Sequence, residues 1–213
     1  MSLIAKIRTQ IEDALPGEDA HLEMSPVYRQ KSSEALKNNP NYKESAVAVI
    51  IFEAAAGSGE YYCVLTQRST YTGKHSGQMS FPGGKPESND ASLLATALRE
   101  TFEEIGIESI LLEHIGNLTP VYIPVSNFKM NPFIFYCSET PNFQLDPREV
   151  DAVINFKLAD LANDFTKSET EITLPDGTIR SNIPCFILNE KIVWGATALV
   201  LNELKQILTA IQT

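Results

Sequence analysis

Residues 83–107 read GGKPESNDASLLATALRETFEEIGI, a polar, glycine-led loop running into a helix-shaped pattern. With Glu100 as origin and a step of about 100° per residue, Glu103 falls near about −60° and Glu104 near about +40°. The three carboxylates therefore share one face. Leu94, Leu98, Phe102 and Ile105 gather at about 120–200°, which predicts the buried face. Leu93 is the exception, on the acid side about two turns earlier. Acids at i, i+3 and i+4 repel on an exposed helix. They lie in the last two turns, where the macrodipole opposes them. A hard divalent cation would turn that repulsion into coordination, since Mg²⁺ and Mn²⁺ prefer oxygen ligands. An ordinary acidic surface patch is the competing reading of the helix alone.

The loop bears on that choice. Gly83 and Gly84, after Phe81-Pro82, allow positive φ and close backbone approach. Asn89 or Asp90 is expected as N-cap and Gly106 as the left-handed residue that ends the helix. The segment resembles the Nudix box: Gly, five residues, Glu, seven residues, Arg-Glu, two residues, Glu-Glu, one residue, Gly. Its second half matches at every fixed position from Arg99 to Gly106. In its first half, counting back from Arg99 puts Ala91 at the Glu position and Lys85 at the Gly position. One extra loop residue, a cheap insertion, restores them as Gly84 and Asp90. Either Asp90 or Glu87 then supports Arg99.

Directly before the box, residues 64–84 read VLTQRSTYTGKHSGQMSFPGG. They resemble the motif of coenzyme A-directed Nudix enzymes: Leu-Leu-Thr, any residue, Arg, Ser or Ala, three residues, Arg, three residues, Gly, three residues, Phe-Pro-Gly-Gly. Leu65, Thr66, Arg68, Ser69, Gly77, Phe81, Pro82, Gly83 and Gly84 fit in register. Val64 is a conservative change. Gly73 stands where the second Arg belongs, with Lys74 beside it; an ammonium offers a point charge but no bidentate fork. Fixed cations ahead of the acid helix could hold an anionic substrate against a metal. The substrate-binding candidates are Arg68, Ser69, Lys74, His75, Gly77, Gln78 and Phe81. A surface ion pair for Arg68, a solvated loop for Lys74 and His75, and a satisfied strand edge for Gln78 are the alternatives.

The chain has 213 residues, 43% hydrophobic and 21% charged, with a net charge of −10. That composition suits one sizeable globular domain with appendages. No basic tract supplies phosphate contacts, which argues against a nucleic-acid polymer as partner. No apolar run approaches a membrane span, and the acids near the N-terminus do not suit a signal peptide, so a cytoplasmic protein is expected. Cys63, Cys137 and Cys185 are widely spaced and sit in apolar runs, as buried free thiols do.

Residues 2–15 predict an amphipathic helix stopped by Pro16-Gly17. Residues 18–43 predict an extended or partly helical arm. Residues 15–29 resemble the N-terminal arm of bacterial coenzyme A pyrophosphatases; packing on the domain or on a second subunit is the plainer reading. Residues 45–52 and 61–66 predict a hairpin around Gly57-Ser58-Gly59. Further strands are expected at 115–123 and 128–137, with prolines making some of this edge or loop. Residues 149–161 begin strand-like and end helical. Hairpin turns are expected at Pro175-Asp176-Gly177 and at 189–191. A final amphipathic helix is expected to run from Gly195 to about residue 211. The run IVWGATALVL at 192–201 resembles the family's Trp-Gly-Ala-Thr-Ala segment; Trp194 reads as core more readily than as a base-stacking surface. His21 and His114 read as surface histidines.

The resemblance implies an α/β Nudix fold, a mixed β-sheet between helices in an α/β/α sandwich. An arm (1–43) and a hydrolase domain (44–213) are expected. It implies metal-dependent hydrolysis of a nucleoside diphosphate linked to another moiety. Coenzyme A or an acyl-coenzyme A is the first substrate, with NADH, ADP-ribose or a dinucleoside polyphosphate as alternatives. A non-catalytic nucleotide sensor is the alternative of another class; such proteins usually lose the helix acids. The implied catalytic set is Glu100, Glu103, Glu104 and Arg99, with Arg99 orienting the acids. The implied metal set is Gly84, Glu100, Glu103 and Glu104 around Mg²⁺ or Mn²⁺. Family members often recruit a further acid from a later loop, and Glu149, ahead of Glu139, is the candidate. A homodimer is compatible with the arm and the C-terminal hairpins.

Overall fold

The structure is a computed structural model and describes residues 1–69, 77–173 and 177–212. Strand β1 (Lys43–Glu53) is its axis. Alternation along β1 divides its side chains between two cores. Val47, Val49 and Ile51 face one core; Ala46, Ala48, Ile50 and Phe52 face the other. Both faces are covered, which explains why residues 45–52 read as a continuous apolar run.

Strand β2 (Tyr61–Arg68) returns antiparallel to β1, with Ile51 opposite Cys63, as the hairpin pattern predicts. Two short strands follow, β3 (Met79–Ser80) on β2 and β4 (Gly83–Gly84) on β1. Helix α4 (Leu93–Ile105) comes next, preceded in the chain by α1 (Leu3–Asp13), α2 (Gly17–Glu23) and α3 (Ser32–Asn38). The arm is thus more helical than its polar sequence suggests, because its helices dock on the domain. Beyond α4 run β5 (Leu112–Asn117), β6 (Val121–Ile123) and β7 (Phe128–Cys137). Strand β7 lies parallel to β1 over its whole length and antiparallel to β5 and β6. Pro132, in the middle of β7, lies between the stretch paired with β5 and the stretch paired with β6, where its missing N–H costs least.

Strand β8 (Val150–Lys157) pairs with the far edge of β2, and α5 (Leu158–Ala162) follows. A second sheet holds β9 (Lys167–Thr173), β10 (Ile179–Leu188) and β11 (Lys191–Trp194). The β10–β11 turn, Asn189-Glu190, has positive φ at both residues (46° and 63°), the two-residue hairpin geometry. The tip between β9 and β10 (174–176) falls outside the described residues.

Helix α6 (Gly195–Ala210) closes the fold. It is not amphipathic as expected. Its residues from Thr197 to Lys205 are buried throughout, the polar Asn202 and Glu203 included. Each of these buried polar side chains finds a partner from another segment, although Asn202 Oδ1 itself has none among the described residues: Asn202 Nδ2 donates to Ala20 O (2.6 Å) and Lys205 Nζ to Ala162 O (2.7 Å). Glu203 accepts from Thr119 Oγ1 (2.6 Å) and lies 3.1 Å from His21 Nε2. His21 is therefore a buried residue, 4% exposed, and not a surface histidine. His114 is exposed, as expected.

The result is a mixed sheet with α4 on one face and α1, α6 and their neighbours on the other, the α/β/α sandwich. Cys63, Cys137 and Cys185 are buried free thiols. No helix among the described residues is long and apolar enough to cross a membrane.

Candidate active site

Helix α4 starts at Ser92, whose side chain accepts from Ala95 N (3.2 Å), and not at Asn89 or Asp90. Asp90 is occupied elsewhere. Its carboxylate accepts from Arg99 Nε (3.0 Å) and Nη2 (3.0 Å), from Thr96 Oγ1 (2.9 Å) and from Glu87 N (2.8 Å). These bonds, the arginine's first, hold the Asp90 carboxyl well below the usual range. Asp90, and not Glu87, is the acid that supports Arg99. Gly106, at φ 76°, ends the helix as predicted.

The buried side of α4 is turned from the expected one. Thr96, Ala97, Thr101, Glu104 and Ile105 face inward, while Phe102 is 55% exposed. The inward face is shifted toward the acids by about 90°. Small residues explain this. Ala97 packs in one core with Ala46 and Ala48 of β1, so the helix can sit low on the sheet. That closeness carries Glu104 to the Gly83-Gly84 strand. Gly83 N donates to Glu104 Oε2 (3.3 Å). A methyl group on Gly84 would overlap the Glu100 carboxylate and push it from its place, so the glycine lets that carboxylate lie against the strand.

Glu100, Glu104 and Glu149 converge, with one oxygen from each within 4.8 Å of the others. Glu104 is 3% exposed. Burial pushes its carboxyl up to about 8; the Arg68 guanidinium and the Gly83 N–H oppose this, and Glu100 and Glu149 add to it. Burial likewise raises Glu100. Hard oxygen donors in a partly desolvated cluster that resists full ionisation suit Mg²⁺ or Mn²⁺, whose charge would relieve the repulsion. Glu103 stands outside this trio. Its side chain is 52% exposed and accepts from Arg99 Nη1 (2.7 Å). Arg99 also donates to Glu100 Oε1 (3.1 Å) and Lys85 O (2.9 Å), so one guanidinium ties helix and loop together.

The expected substrate residues divide. Arg68 acts on Glu104 electrostatically, and among the described residues its buried Nε has no hydrogen-bond partner. Its backbone N donates to Gln78 O (3.0 Å), and Gly77 turns the chain at φ 67°. Ser69 reaches the loop that carries Glu149. Phe81 is only 2% exposed and packs in the core with Met79 and Leu65, which corrects its assignment as a substrate contact: a ring this deep anchors the loop from below. Lys74 and His75 lie outside the described residues.

Sequence reasoning missed Asp146. Its N donates to Glu104 O (3.1 Å), strapping the Glu149 loop to the end of α4. No local pattern announces such a main-chain tie. A groove of about 610 Å³ beside Leu98, Phe102 and Ile110 shares only Arg99 with this site.

The arrangement has relatives. A Nudix hydrolase named NudL, described as uncharacterized, from Salmonella paratyphi B is 35% identical over 141 residues, covering 66% of this chain and 72% of that protein. The same protein from Salmonella newport matches to the same extent. Among solved structures, the Nudix hydrolase RenU of M. smegmatis aligns over 80% of this chain and 88% of its own at a TM-score of 0.54 and 14% identity, a likeness of fold. The NUDIX domain family pattern matches residues 43–175, the span holding the glycine strand, the acid helix and Glu149, and the chain belongs to that family.

Proposed function

We propose that this protein is a Mg²⁺- or Mn²⁺-dependent diphosphatase that cleaves coenzyme A or an acyl-coenzyme A to 3′,5′-ADP and the matching 4′-phosphopantetheine. The observation that carries the reaction type is the convergence of Glu100, Glu104 and Glu149 beside Gly84. Gly84, Glu100, Glu104 and Glu149 would hold the metal, with Glu103 next to them. A bound divalent cation supplies charge neutralisation of the diphosphate and lowers the pKa of a water.

The chain's own residues supply the rest. Arg99 fixes the Glu100 and Glu103 carboxylates and is itself locked by Asp90. Arg68 brings a fixed positive charge against Glu104 at the edge of the acid cluster. The motif at residues 64–84 supports coenzyme A as the substrate class; Ser69 and Phe81 support the site from behind. Residues 1–43 would act as an arm bracing the domain at 44–213.

Gly73, in place of the motif arginine, favours a second reading in which another nucleoside diphosphate derivative is preferred. A hydrolysis panel with Mg²⁺ and Mn²⁺ separates the two, comparing coenzyme A, acyl-coenzyme A, NADH, ADP-ribose and diadenosine polyphosphates. Metal-dependent release of 3′,5′-ADP from coenzyme A is expected. Brisk cleavage of another compound with no coenzyme A turnover would overturn the first reading.

A further inference from the structure

The loop bearing Glu149 is clamped from two sides. At the helix end, Gln144 N donates to Ile105 O (2.9 Å) and Asp146 N to Glu104 O (3.1 Å). At the sheet, Ser69 N donates to Glu149 O (2.9 Å), and Ser69 Oγ donates to Arg148 O (2.8 Å). Between these points Glu149 N donates to Asp146 O (3.0 Å). The adjoining ladder is irregular: Gln67 faces Ala152 but Arg68 faces Val150, so Asp151 is an extra residue in β8. A bulge of this kind bends its strand and re-aims neighbouring side chains. Glu149 is exposed, so close packing does not set its direction.

We propose that Ser69 is a positioning residue for Glu149: its hydroxyl and N–H hold the bulged start of β8 so that this carboxylate meets Glu100 and Glu104. The hydroxyl's single proton is directed to Arg148 O, which leaves none to donate to substrate. Within the motif at residues 64–84, Ser69 thus serves the acid cluster and not ligand recognition. The inference rests on the proposed metal-dependent reaction.

The test uses full-length protein stripped with chelator and measures Mn²⁺ binding by the electron paramagnetic resonance of free Mn²⁺, alongside kcat and KM. Thermal unfolding checks that each variant is folded. Ser69→Ala is expected to weaken Mn²⁺ binding and lower kcat, each by about tenfold, the scale for outer-shell supports. Ser69→Thr, which keeps the hydroxyl, is expected to recover most of both. In a Glu149→Gln background, Ser69→Ala is expected to add nothing. Unchanged Mn²⁺ binding in Ser69→Ala, or a rise in KM alone, would overturn the positioning role while leaving the proposed reaction standing. If the wild-type chain binds Mn²⁺ and the variants shift Mn²⁺ binding as expected, but none of the diphosphates is cleaved by any of them, the positioning role stands on the binding data and the proposed reaction falls.

Discussion

At Glu104, burial and two neighbouring carboxylates act in the same direction, and Arg68 only partly offsets them. Removing its charge should therefore be felt in two ways. Glu104→Gln is expected to keep the fold and to lower kcat by roughly 100-fold or more, whereas Glu103→Gln, outside the trio, should cost about tenfold; steady-state kinetics on both variants checks the order. The second effect concerns metal-free protein. The folded pKa of Glu104 lies near 8, above the ordinary 4.5, so the folded state holds more protons between those values. Its contribution is complete below about pH 4.5 and is lost as pH rises toward 8. Urea unfolding in chelator should show stability falling across that window. Glu104→Gln should flatten the slope, and so should added Mn²⁺. The helix acids were legible because their spacing is local. The roles of Ser69 and Asp146 were not, because each acts through a main-chain bond to a residue distant in sequence, about which composition and periodicity are silent.

Among the elements, the two-residue strand at Gly83-Gly84 is the most constrained. Gly83 has φ 150°, and a Cβ there would lie 2.6 Å from Val47 Cα in β1. Backbone cannot move aside as a side-chain tip can. Gly83→Ala is expected to destabilise the protein by about 2 kcal/mol or more, in the range of a severe backbone clash; the midpoint of chemical unfolding measures it. Strand β1, its return β2 and the C-terminal end of α4 could be read from periodicity and from Gly106; the start of α4 could not, since Ser92 takes the cap expected of Asn89 or Asp90. Which face of α4 is buried could not. The leucine and phenylalanine positions point one way, but Ala97 and Thr101 fit closer to β1, and close approach decided the rotation. Phe102 was left outside as a result. The expectation for α6 failed for a related reason: polar residues on a helix read as a solvated face unless their distant partners are known.

Across the whole molecule, the arm and the last helix are tied through a buried carboxylate. Glu203 accepts from Gly17 N (3.2 Å), Thr119 N (3.0 Å) and Thr119 Oγ1 (2.6 Å), and meets His21. Burial alone would raise its pKa, but the hydrogen bonds from His21 and Thr119 outweigh this and leave it lowered. Its contribution to stability is thus present above the ordinary carboxylate range and is lost as pH falls through the depressed value. Glu203→Ala leaves those donors unanswered in the interior and should cost about 3 kcal/mol. Hydrogen exchange should show residues 17–24 opening first, and exchange unchanged there would count against this tie. The two partners stand 182 positions apart, which is why the sequence showed only an isolated histidine and a helix acid. The same separation has a meaning in time. At about 5–20 residues per second, His21 leaves the ribosome roughly 9 to 36 seconds before Glu203 does. Through that interval α2 lacks its seat on α6, and the sheet face destined for α6 is bare. The nascent chain is thus most open to chaperones, and to its own neighbours on a polysome, in the moments before its last helix is made.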